Sequence, residues 1–507
     1  MNLAQWIDRH AGLTPRQRAV CFEGDAISYR DLASRIAATA RLLRRAGVEA
    51  GDRVAYLGYN HPVALALLFA CARLRAIFVP LNWRLAPPEL ARVASDCTPR
   101  AVFIEPRFAD AAERLSAALA PCVPFAVGDV PAGWRDGNAI DDAAVAEDTF
   151  DTDAADAPVL LCYTSGSTGA PKGALLTQQA LFVNAVNSTQ MHDLTRADRV
   201  LTTLPLFHVG GLCIQTLPAL HAGATVFLHP KFDAVATLGT IAREAITLTV
   251  LVPAQLDALA AHPAWVGTDL SSLRSITTGS TIVPMRNFVT VHARGVPLIQ
   301  VYGSTETGPI ATYTIAAGAV REAGAAGHPA IHCDVRVVGD CDRPLACGES
   351  GEILVRGANV MSGYWNAAAE TAATLAGGWF HTGDIGHIDG DGLLWVDGRL
   401  KDMIISGGEN IYPAEIESVL AECVDIAEVA IVGRPDDTWG EVVVAAIVLR
   451  EGRAIGEAEI RALLHGRIAR YKHPREIVFL DALPRSALGK LRRDELRRMV
   501  RGETLVQ

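Results

Sequence analysis

The segment Tyr163-Thr-Ser-Gly-Ser-Thr-Gly-Ala-Pro-Lys-Gly173 is the strongest local signal in the sequence. It follows the apolar run Val159–Cys162, and a helix-like stretch begins near Thr177, a residue type that favours helix N-caps. A loop rich in glycine and hydroxyl side chains between a strand and a helix can direct N–H and O–H groups at phosphate oxygens. We therefore expect a phosphate-binding loop, to which Lys172 adds a positive charge, although a flexible surface loop is the alternative for this segment alone. It differs from an ordinary P-loop, because Pro171 precedes the lysine and a glycine follows it.

Length and composition exclude several classes of protein. A chain of 507 residues is too long for one hydrophobic core, so we expect at least two domains. The formal net charge of −10 argues against a nucleic-acid binder, which needs a basic surface. The most apolar stretch, residues 61–81, is interrupted by Arg73 and Arg75. A membrane span is therefore not expected, and any membrane contact would be peripheral.

The N-terminus and the cysteines predict a cytoplasmic enzyme. Residues 1–20 contain one aspartate and several arginines and no long apolar core, so they do not have the pattern of a secretory signal. Ten cysteines are scattered along the chain without a C-x-x-C pair. Isolated cysteines in a chain of this length indicate reduced core residues rather than a disulfide framework or a zinc site.

Hydrophobic periodicity predicts how the chain is divided. Strand-like runs at 53–58 and 101–104 and a helix-like stretch at 64–73 indicate layered α/β subdomains. Short β-like pieces between about 335 and 396 indicate a β-barrel-like part, and a strand at 403–406 followed by a helix that begins at Pro413 indicates a small α+β domain. We expect an α/β protein with a large N-terminal domain 1–399, a short polar hinge 400–402 and a mobile C-terminal domain 403–507.

The chain resembles the adenylate-forming superfamily, which contains acyl-CoA synthetases, luciferases and peptide-synthetase adenylation domains. Seven segments match motifs of that family in the family's order, namely Thr164–Gly173, Pro205–His208, Val301–Thr307, Gly378–Asp384, Gly398–Asp402, Ser406–Pro413 and Pro484–Lys490. One such match would be weak evidence, whereas seven in register cover nearly the whole chain. The resemblance implies that the protein is a ligase that uses ATP to convert a carboxylic acid into an acyl-adenylate and pyrophosphate. Transfer of the acyl group to coenzyme A would follow.

The resemblance also implies which residues bind the nucleotide. Thr305 would touch the α-phosphate, and Glu306 would hold Mg²⁺, which typically takes one or two carboxylates together with phosphates. Asp384 would accept hydrogen bonds from the ribose diol, with Arg399 beside it, although taken alone this aspartate would be assigned to a turn or an N-cap. The remaining residues implied to contact the nucleotide are Thr164, Ser165, Gly166, Ser167, Thr168, Gly169, Lys172, Gly279, Ser280, Thr281, Tyr302 and Gly303.

Lys490 is the residue to which the resemblance assigns the chemistry of adenylation, by bridging carboxylate and phosphate oxygens. The protein has little covalent work to do in this reaction, so positioning and electrostatics dominate. The alternative is a solvated lysine, because residues 483–501 contain seven basic and two acidic side chains. His208 would line or gate the carboxylate side of the acyl pocket.

The family uses two arrangements of its small domain, and the pivot would be Lys401. In the arrangement for thioester formation, the strip that begins at Ser406 would face the approach of the coenzyme A thiol. The residues implied to contact coenzyme A are Ser406, Gly407, Gly408, Trp439 and Tyr471.

The acyl pocket of the family corresponds to residues 208–214, 276–281 and 303–311, which contain no lysine or arginine. A dicarboxylate would leave a buried charge unpaired there, and residues 205–211 lack the aspartate that an amino-acid substrate would need. We therefore expect an acid that is apolar apart from its carboxylate, with a medium- or long-chain fatty acid as the leading candidate. An aryl or cinnamate-type acid is the alternative.

Three further functions are weighed against this one. An acyl-AMP ligase that serves a carrier protein is the nearest, but no carrier domain follows Lys490, which favours a free thiol. A non-catalytic nucleotide sensor is disfavoured because Lys490, Glu306 and Asp384 are all present. A serine hydrolase is disfavoured because the sequence has no G-x-S-x-G elbow. The oligomeric state is left open, with a homodimer as one option.

Overall fold

The computed structural model describes residues 2–110, 122–131, 133–137, 154–165, 171–280, 283–406, 409–436, 439–465, 467–468, 470–485 and 490–502. The chain forms two compact units. The first consists of Met1–Val335 and Val355–His381, and the second of Arg336–Leu354 and Thr382–Gln507. The expected hinge at 400–402 lies inside the second unit, and its role as a pivot stays a prediction.

The strands are β1 Arg18–Phe22, β2 Asp25–Ser28, β3 Arg53–Leu57, β4 Ile77–Leu81, β5 Ala101–Ile104, β6 Val123–Ala126, β7 Arg135–Asp136, β8 Pro158–Ser165, β9 Pro171–Thr177, β10 Arg199–Thr202, β11 Thr225–Leu228, β12 Leu248–Val250, β13 Ser275–Gly279, β14 Leu298–Tyr302, β15 Thr312–Tyr313, β16 His328–Pro329, β17 Cys333–Val338, β18 Gly351–Gly357, β19 Gly363–Tyr364, β20 Phe380–Ile388, β21 Leu394–Arg399, β22 Ile404–Ser406, β23 Glu409–Ile411, β24 Ile426–Asp436, β25 Gly440–Leu449 and β26 Glu476–Phe479. The α-helices are α1 Ala4–Leu13, α2 Tyr29–Arg45, α3 Pro62–Leu74, α4 Pro87–Cys97, α5 Gln178–His192, α6 Val209–Gly211, α7 Leu217–Ala222, α8 Ala234–Arg243, α9 Pro253–Ala261, α10 Met285–His292, α11 Ala368–Thr374, α12 Pro413–Leu420, α13 Glu457–Leu464 and α14 Arg493–Val500.

Two large mixed sheets form the first unit. One has the strand order β16-β15-β14-β13-β12-β10-β11-β1-β2, and the other β19-β9-β8-β4-β3-β5-β6-β7. The alternation predicted for residues 53–104 is confirmed, since β3, α3, β4, α4 and β5 follow one another and the three strands are parallel neighbours. The apolar helix α3 is buried on nearly all sides, which accounts for its composition. Within the described part of the chain, no helix is long and apolar enough to cross a membrane.

The phosphate loop has a different setting from the one predicted. The sequence indicated a strand followed by the loop and then a helix, but a second strand, β9, follows the loop and pairs antiparallel with β8. Thr164 faces Lys172 and Tyr163 faces Gly173 in this hairpin. Helix α5 begins only at Gln178, where Thr177 accepts a hydrogen bond from the Ala180 N–H, as predicted for an N-cap. The loop is therefore the tip of a hairpin, and the positive end of the helix lies at the far end of β9.

The second unit matches most of its predicted elements. Residues 335–396 supply most of a four-stranded sheet with the order β17-β18-β20-β21, and a five-stranded sheet follows, with the order β23-β22-β25-β24 and β26 beside β25. Helix α12 begins at Pro413 as predicted, and α13 ends at Leu464, because His465 is extended. Asp389 accepts hydrogen bonds from the N–H groups of Asp391 and Leu393 in the hairpin turn between β20 and β21.

Candidate active site

The phosphate hairpin carries the first group of predicted nucleotide residues. Thr164 and Lys172 are cross-strand partners, and the Thr164 hydroxyl lies 3.4 Å from the Lys172 carbonyl oxygen. Ser165 extends β8 opposite Pro171. The predicted residues Gly166, Ser167, Thr168 and Gly169 lie outside the described residues. The structure thus places Lys172 on β9, at the end of the hairpin next to the loop.

Lys172 lies at one end of a chain of polar contacts that reaches the predicted metal ligand. Its ammonium group forms an ion pair with Glu370 of α11 and lies 5.6 Å from the centre of the Tyr364 ring. The Tyr364 hydroxyl donates a hydrogen bond to Oε1 of Glu306 at 2.9 Å. Sequence reasoning missed Tyr364 and Glu370, which lie outside its motifs. A Gly-Tyr-Trp sequence on the short strand β19 was the available signal.

Tyr302 ends β14, Gly303 follows it in the turn, and Thr305 and Glu306 lie on the short 3₁₀ segment Thr305–Thr307. A Cβ atom on Gly303 would lie 1.8 Å from the Pro309 carbonyl oxygen, so the chain folds back on itself where only glycine fits. Two buried amides missed by sequence reasoning hold this turn. Asn359 donates to the carbonyl oxygens of Thr307 at 2.6 Å and Ile310 at 3.2 Å, and Asn184 accepts from the Ile310 N–H at 3.1 Å.

The predicted nucleotide residues 279–281 and the predicted acyl gate His208 follow two other strands. Gly279 ends β13, and a Cβ atom there would lie 2.4 Å from the Val301 carbonyl oxygen of the neighbouring strand β14. Ser280 is exposed with φ of +69°, and Thr281 lies outside the described residues. His208 is the N-cap of α6, where its Nδ1 accepts from the Gly210 N–H at 3.1 Å.

A buried polar network lies behind these segments. Its four side chains are each at most 4% exposed. They are Ser188 and His192 on α5, Thr277 on β13 and Gln215 on the π-helical turn Leu212–Thr216. The Thr277 hydroxyl lies 2.8 Å from His192 Nε2, and Gln215 Nε2 donates to that hydroxyl at 3.1 Å. Burial lowers the pKa of His192 to about 4, so the imidazole is neutral at pH 7.

The cysteines of this region are not nucleophiles. Burial, with a further contribution from Glu306, raises the pKa of Cys162 to about 12, and burial also raises the pKa of Cys213 well above its usual value. Because the thiolate is the reactive form, both thiols stay inert at neutral pH. Covalent catalysis by cysteine is therefore excluded for these two residues.

The second unit brings the two predicted ribose residues together. Asp384 and Arg399 are cross-strand partners on β20 and β21, and the Arg399 Nε atom lies 2.7 Å from Asp384 Oδ1. The Asp384 side chain is 11% exposed and that of Arg399 is 53% exposed. Glu352 accepts a hydrogen bond from the Gly383 N–H at 3.0 Å and fixes the bend before the aspartate.

The predicted hinge is tied to the C-terminal helix α14 of the same unit. Arg497 donates to the Lys401 carbonyl oxygen at 3.2 Å and to Asp402 Oδ1 at 3.0 Å. Arg493 lies 3.5 Å from Asp402 and also binds Glu417 of α12 at 2.7 Å. Residue 402 is therefore held by the small-domain helix, while Lys401 provides only its backbone oxygen to this cluster.

The predicted coenzyme A residues lie on β22 and the loops beyond it. Ser406 ends β22 opposite Glu409 and Gly440. Trp439 is 41% exposed, and the Arg475 guanidinium lies 4.2 Å from the centre of its ring. Gly407 and Gly408 lie outside the described residues, as does the side chain of Tyr471, which belongs to the turn Arg470–Lys472.

Lys490 is exposed, and it follows residues 486–489, which lie outside the described part of the chain. A β-bridge joins Arg485 and Leu491. Lys490 therefore lies next to a bridged residue, and its chemical role stays a prediction.

The donor groups around Glu306 fit Mg²⁺ carried by a nucleotide. Within the described ranges, no group of three His, Cys, Asp or Glu side chains could hold a metal ion by itself. Mg²⁺ is commonly held by one or two carboxylates together with substrate phosphates and water. One carboxylate held by a tyrosine hydroxyl meets that requirement, so Glu306 would hold the ion only together with phosphate oxygens.

Comparison with known proteins identifies the family of the chain. The model of the AMP-binding enzyme family matches residues 7–365, and that of the AMP-binding enzyme C-terminal domain matches residues 415–490. The chain is 57% identical to an indoleacetate–CoA ligase of Aromatoleum aromaticum, with all of both chains covered. It is 43% identical to a feruloyl-CoA synthase of Amycolatopsis, covering 98% of this chain and 99% of the relative.

More distant proteins extend the comparison. The long-chain-fatty-acid–CoA ligase FadD13 of Mycobacterium tuberculosis is 33% identical, with 98% of each chain covered. The solved o-succinylbenzoate CoA synthetase of Bacillus subtilis, bound to its acyl-adenylate intermediate, superposes with a TM-score of 0.86 at 31% identity and 97% coverage of both chains. The expected fold and the use of ATP, Mg²⁺ and coenzyme A are thereby confirmed. The chain belongs to the AMP-binding enzyme family and is an AMP-forming carboxylate–CoA ligase.

Proposed function

We propose that the acid activated by this ligase is an aryl acid whose ring is joined to the carboxyl group by a short linker, as in arylacetic and arylacrylic acids. The observation that carries the proposal is the full-length identity of 57% to a ligase of indoleacetate, together with 43% to a feruloyl-CoA synthase. Identity to a ligase of long-chain fatty acids is lower, at 33%. The comparisons therefore favour the aryl alternative over the fatty acid that led the sequence-based expectation.

The walls of the proposed acyl pocket are compatible with a flat ring. Gly210 and Gly211 have no side chains, and Val209 and Leu212 beside them are apolar and buried. Residues 208–214, 276–281 and 303–311 contain no lysine or arginine, so a second carboxylate on the acid would find no partner of opposite charge there. The apolar ring would occupy this pocket, with the reacting carboxylate on the side of His208.

The residues proposed to act in adenylation have separate tasks. Glu306 would hold Mg²⁺ on the phosphates, Thr305 would donate to the α-phosphate, and Lys490 would stabilise the charge that develops as the carboxylate attacks. Preorganised charges of this kind contribute most when they address charge that develops in the transition state. We also propose that Lys401 is the pivot between the arrangements for adenylation and thioester formation. Ser406, Trp439 and Tyr471 would then serve coenzyme A.

The test is a panel of acids assayed by coenzyme A-dependent release of AMP. Indole-3-acetate, phenylacetate, ferulate, benzoate, octanoate and palmitate span the aryl and fatty classes. We expect kcat/KM for the preferred arylacetic or arylacrylic acid to exceed that for both fatty acids at least about 10-fold. The reason is that a matched ring and a chain differ by about 1–3 kcal/mol in the binding free energy of their apolar contacts in the transition state. A higher kcat/KM for octanoate or palmitate would overturn the proposal.

A further inference from the structure

A small cavity lies against the residues proposed to hold the acyl group. Its volume is about 10 Å³, on the scale of one polar atom or one water molecule. The residues around it are Leu201, Thr202, Thr203, Leu204, Gly210, Gly211, Gln215, Thr216 and Val250. Two of these residues, Gln215 and Thr203, are polar and almost fully buried.

Two polar atoms at this cavity have no hydrogen-bond partner among the described residues. They are Oε1 of Gln215 and Oγ1 of Thr203, and each residue is 1% exposed. A buried carbonyl oxygen without a partner is costly, because it has lost its hydrogen bonds to water and gained none in exchange. Most buried polar groups in native proteins are satisfied, so an exception of this kind indicates a strained or functional position.

The hydrogen bonds around His192 determine the orientation of the Gln215 amide, whose nitrogen faces Thr277 and whose oxygen faces away from Thr277. His192 Nδ1 lies 2.9 Å from the Ser188 carbonyl oxygen, which can only accept, so Nδ1 carries the proton. Nε2 therefore accepts from the Thr277 hydroxyl, and that hydroxyl must accept from Gln215 Nε2. The amide cannot turn over without breaking this series of bonds, which leaves Oε1 as a fixed acceptor.

The backbone around Gln215 is also unusual. Residues 212–216 form a π-helical turn between the short helices α6 and α7, an arrangement that is rare and occurs often at functional sites. Gly211 precedes this turn, and a Cβ atom on it would lie 2.3 Å from the Pro205 carbonyl oxygen. The turn is thus packed directly against the segment of His208, which is proposed to face the reacting carboxylate.

We propose that Gln215 determines specificity by accepting a hydrogen bond, through Oε1, from an N–H or O–H group on the ring of the acid. This inference rests on the proposed aryl substrate and narrows it to rings that carry a donor. The neutral acceptor is fixed in position before binding, so an acid without the donor leaves it unpaired in the complex. An acid with the donor would enter with its polar edge towards the cavity.

The test compares two acids of nearly the same shape, indole-3-acetate and 1-benzofuran-3-acetate, in which oxygen replaces the ring N–H. We expect the wild-type enzyme to prefer the indole in kcat/KM by about 10-fold or more, because the unpaired acceptor is costly. In Gln215→Met, an apolar side chain of similar length, that preference should fall to within about 2-fold, because its acceptor is absent.

Two further variants make the result decisive. Thr277→Val removes the hydroxyl that orients the amide and should lower the preference, even if Gln215→Met does not fold. Gln300→Met is the matched control, because Gln300 is another buried glutamine whose Oε1 has no partner among the described residues but does not line the cavity. It should keep the wild-type preference.

The outcomes separate the two proposals. If the wild type activates both acids but Gln215→Met or Thr277→Val keeps the full preference, the role of Gln215 is refuted while the aryl substrate stands. The same holds if the wild type does not distinguish the two acids. If fatty acids are activated and neither aryl acid is, the proposed function fails and this inference fails with it.

Discussion

The two units of the chain use polar side chains in opposite ways. In the first unit, Ser188, His192, Thr277 and Gln215 form a neutral network at most 4% exposed to solvent. In the second unit, the pair of Asp402 and Arg497 consists of charged groups that keep 12% and 18% of their side-chain surface exposed. Buried neutral hydrogen bonds are costly to break and hold one geometry, whereas partly exposed ion pairs contribute little stability. The first arrangement suits a fixed acid pocket, and the second suits charges that act during the reaction or re-form between two states.

The largest effect is expected at Lys490 of the second unit. Lys490→Ala should lower acid-dependent exchange of pyrophosphate into ATP by about 10²–10³, as for the loss of one donor that acts in the transition state. Thioester formation from synthetic acyl-adenylate should change much less, and so should the thermal midpoint, because Lys490 is exposed. Arg498→Ala is the control, since Arg498 is an exposed basic residue of the same segment. Equal losses in both variants would mean that Lys490 is only one of several solvated charges.

The buried network should respond to pH through stability. The pKa of His192 is about 4 in the folded chain against 6.5 for a free histidine, so between these values only the unfolded chain binds the proton. The contribution of His192 to stability is therefore complete above pH 6.5 and is lost as the pH falls towards 4, by about 2 kcal/mol at pH 5. The partly buried histidines His61 and His221, whose pKa values burial also lowers to about 4, add to the loss for the whole chain. Denaturant unfolding at pH 7 and pH 5 measures this loss.

The variant that tests this assignment is His192→Gln, which cannot titrate. It should be less stable than the wild type at pH 7, but its loss on going to pH 5 should be smaller by about 2 kcal/mol. His465→Gln serves as the control, because His465 is exposed, and it should keep the wild-type dependence on pH. If His192→Gln loses as much stability between pH 7 and pH 5 as the wild type, His192 does not contribute to the dependence of stability on pH.

The sequence was informative where local chemistry determines structure. Pro413 begins α12 and Thr177 caps α5, because the fixed φ of proline and the hydroxyl of threonine act within one turn. The hairpin at the phosphate loop was missed, since pairing of β9 with β8 depends on contacts that the loop motif does not encode. The seven motifs gave the family, and Asp384 and Arg399 then proved to be direct partners.

The candidate site could be predicted only where a motif marked it. Four residues of the site are distant in sequence from the groups that they bind, so no local sequence pattern indicated them. They are Tyr364, Asn184, Asn359 and Gln215. The sequence-based expectation put a fatty acid before an aryl acid, because the absence of charge in the pocket segments disfavours dicarboxylates but does not separate an aliphatic chain from a ring. Full-length relatives favour the ring.

A smaller effect is expected at Tyr364, which links the hairpin to the proposed metal ligand Glu306. Tyr364→Phe removes the hydroxyl that donates to Glu306 and should lower adenylation about 10-fold, the equivalent of one hydrogen bond to a charged group. The Mg²⁺ concentration needed for half-maximal rate should rise, because the carboxylate is less well oriented. The control is Tyr29→Phe, which removes a buried hydroxyl bonded to the Ala224 carbonyl oxygen. It should lower stability and leave the dependence on Mg²⁺ as in the wild type; a shift of similar size in both variants would show a general structural effect.

The smallest effect on stability is expected at Arg497, which holds the predicted hinge through Asp402 and the Lys401 carbonyl oxygen. Arg497→Gln should lower the free energy of unfolding by about 1 kcal/mol or less, because the ion pair is partly exposed. If residues 400–402 are the hinge, the same change should alter the ratio of adenylation to thioester formation, since the contact would stabilise one of two arrangements. Arg434→Gln, which breaks the Arg434–Glu476 pair of the same unit, should cost similar stability and leave that ratio unchanged. An unaltered ratio in Arg497→Gln would show that the contact is an ordinary ion pair without a role in the two arrangements. It would also argue against Lys401 as the pivot.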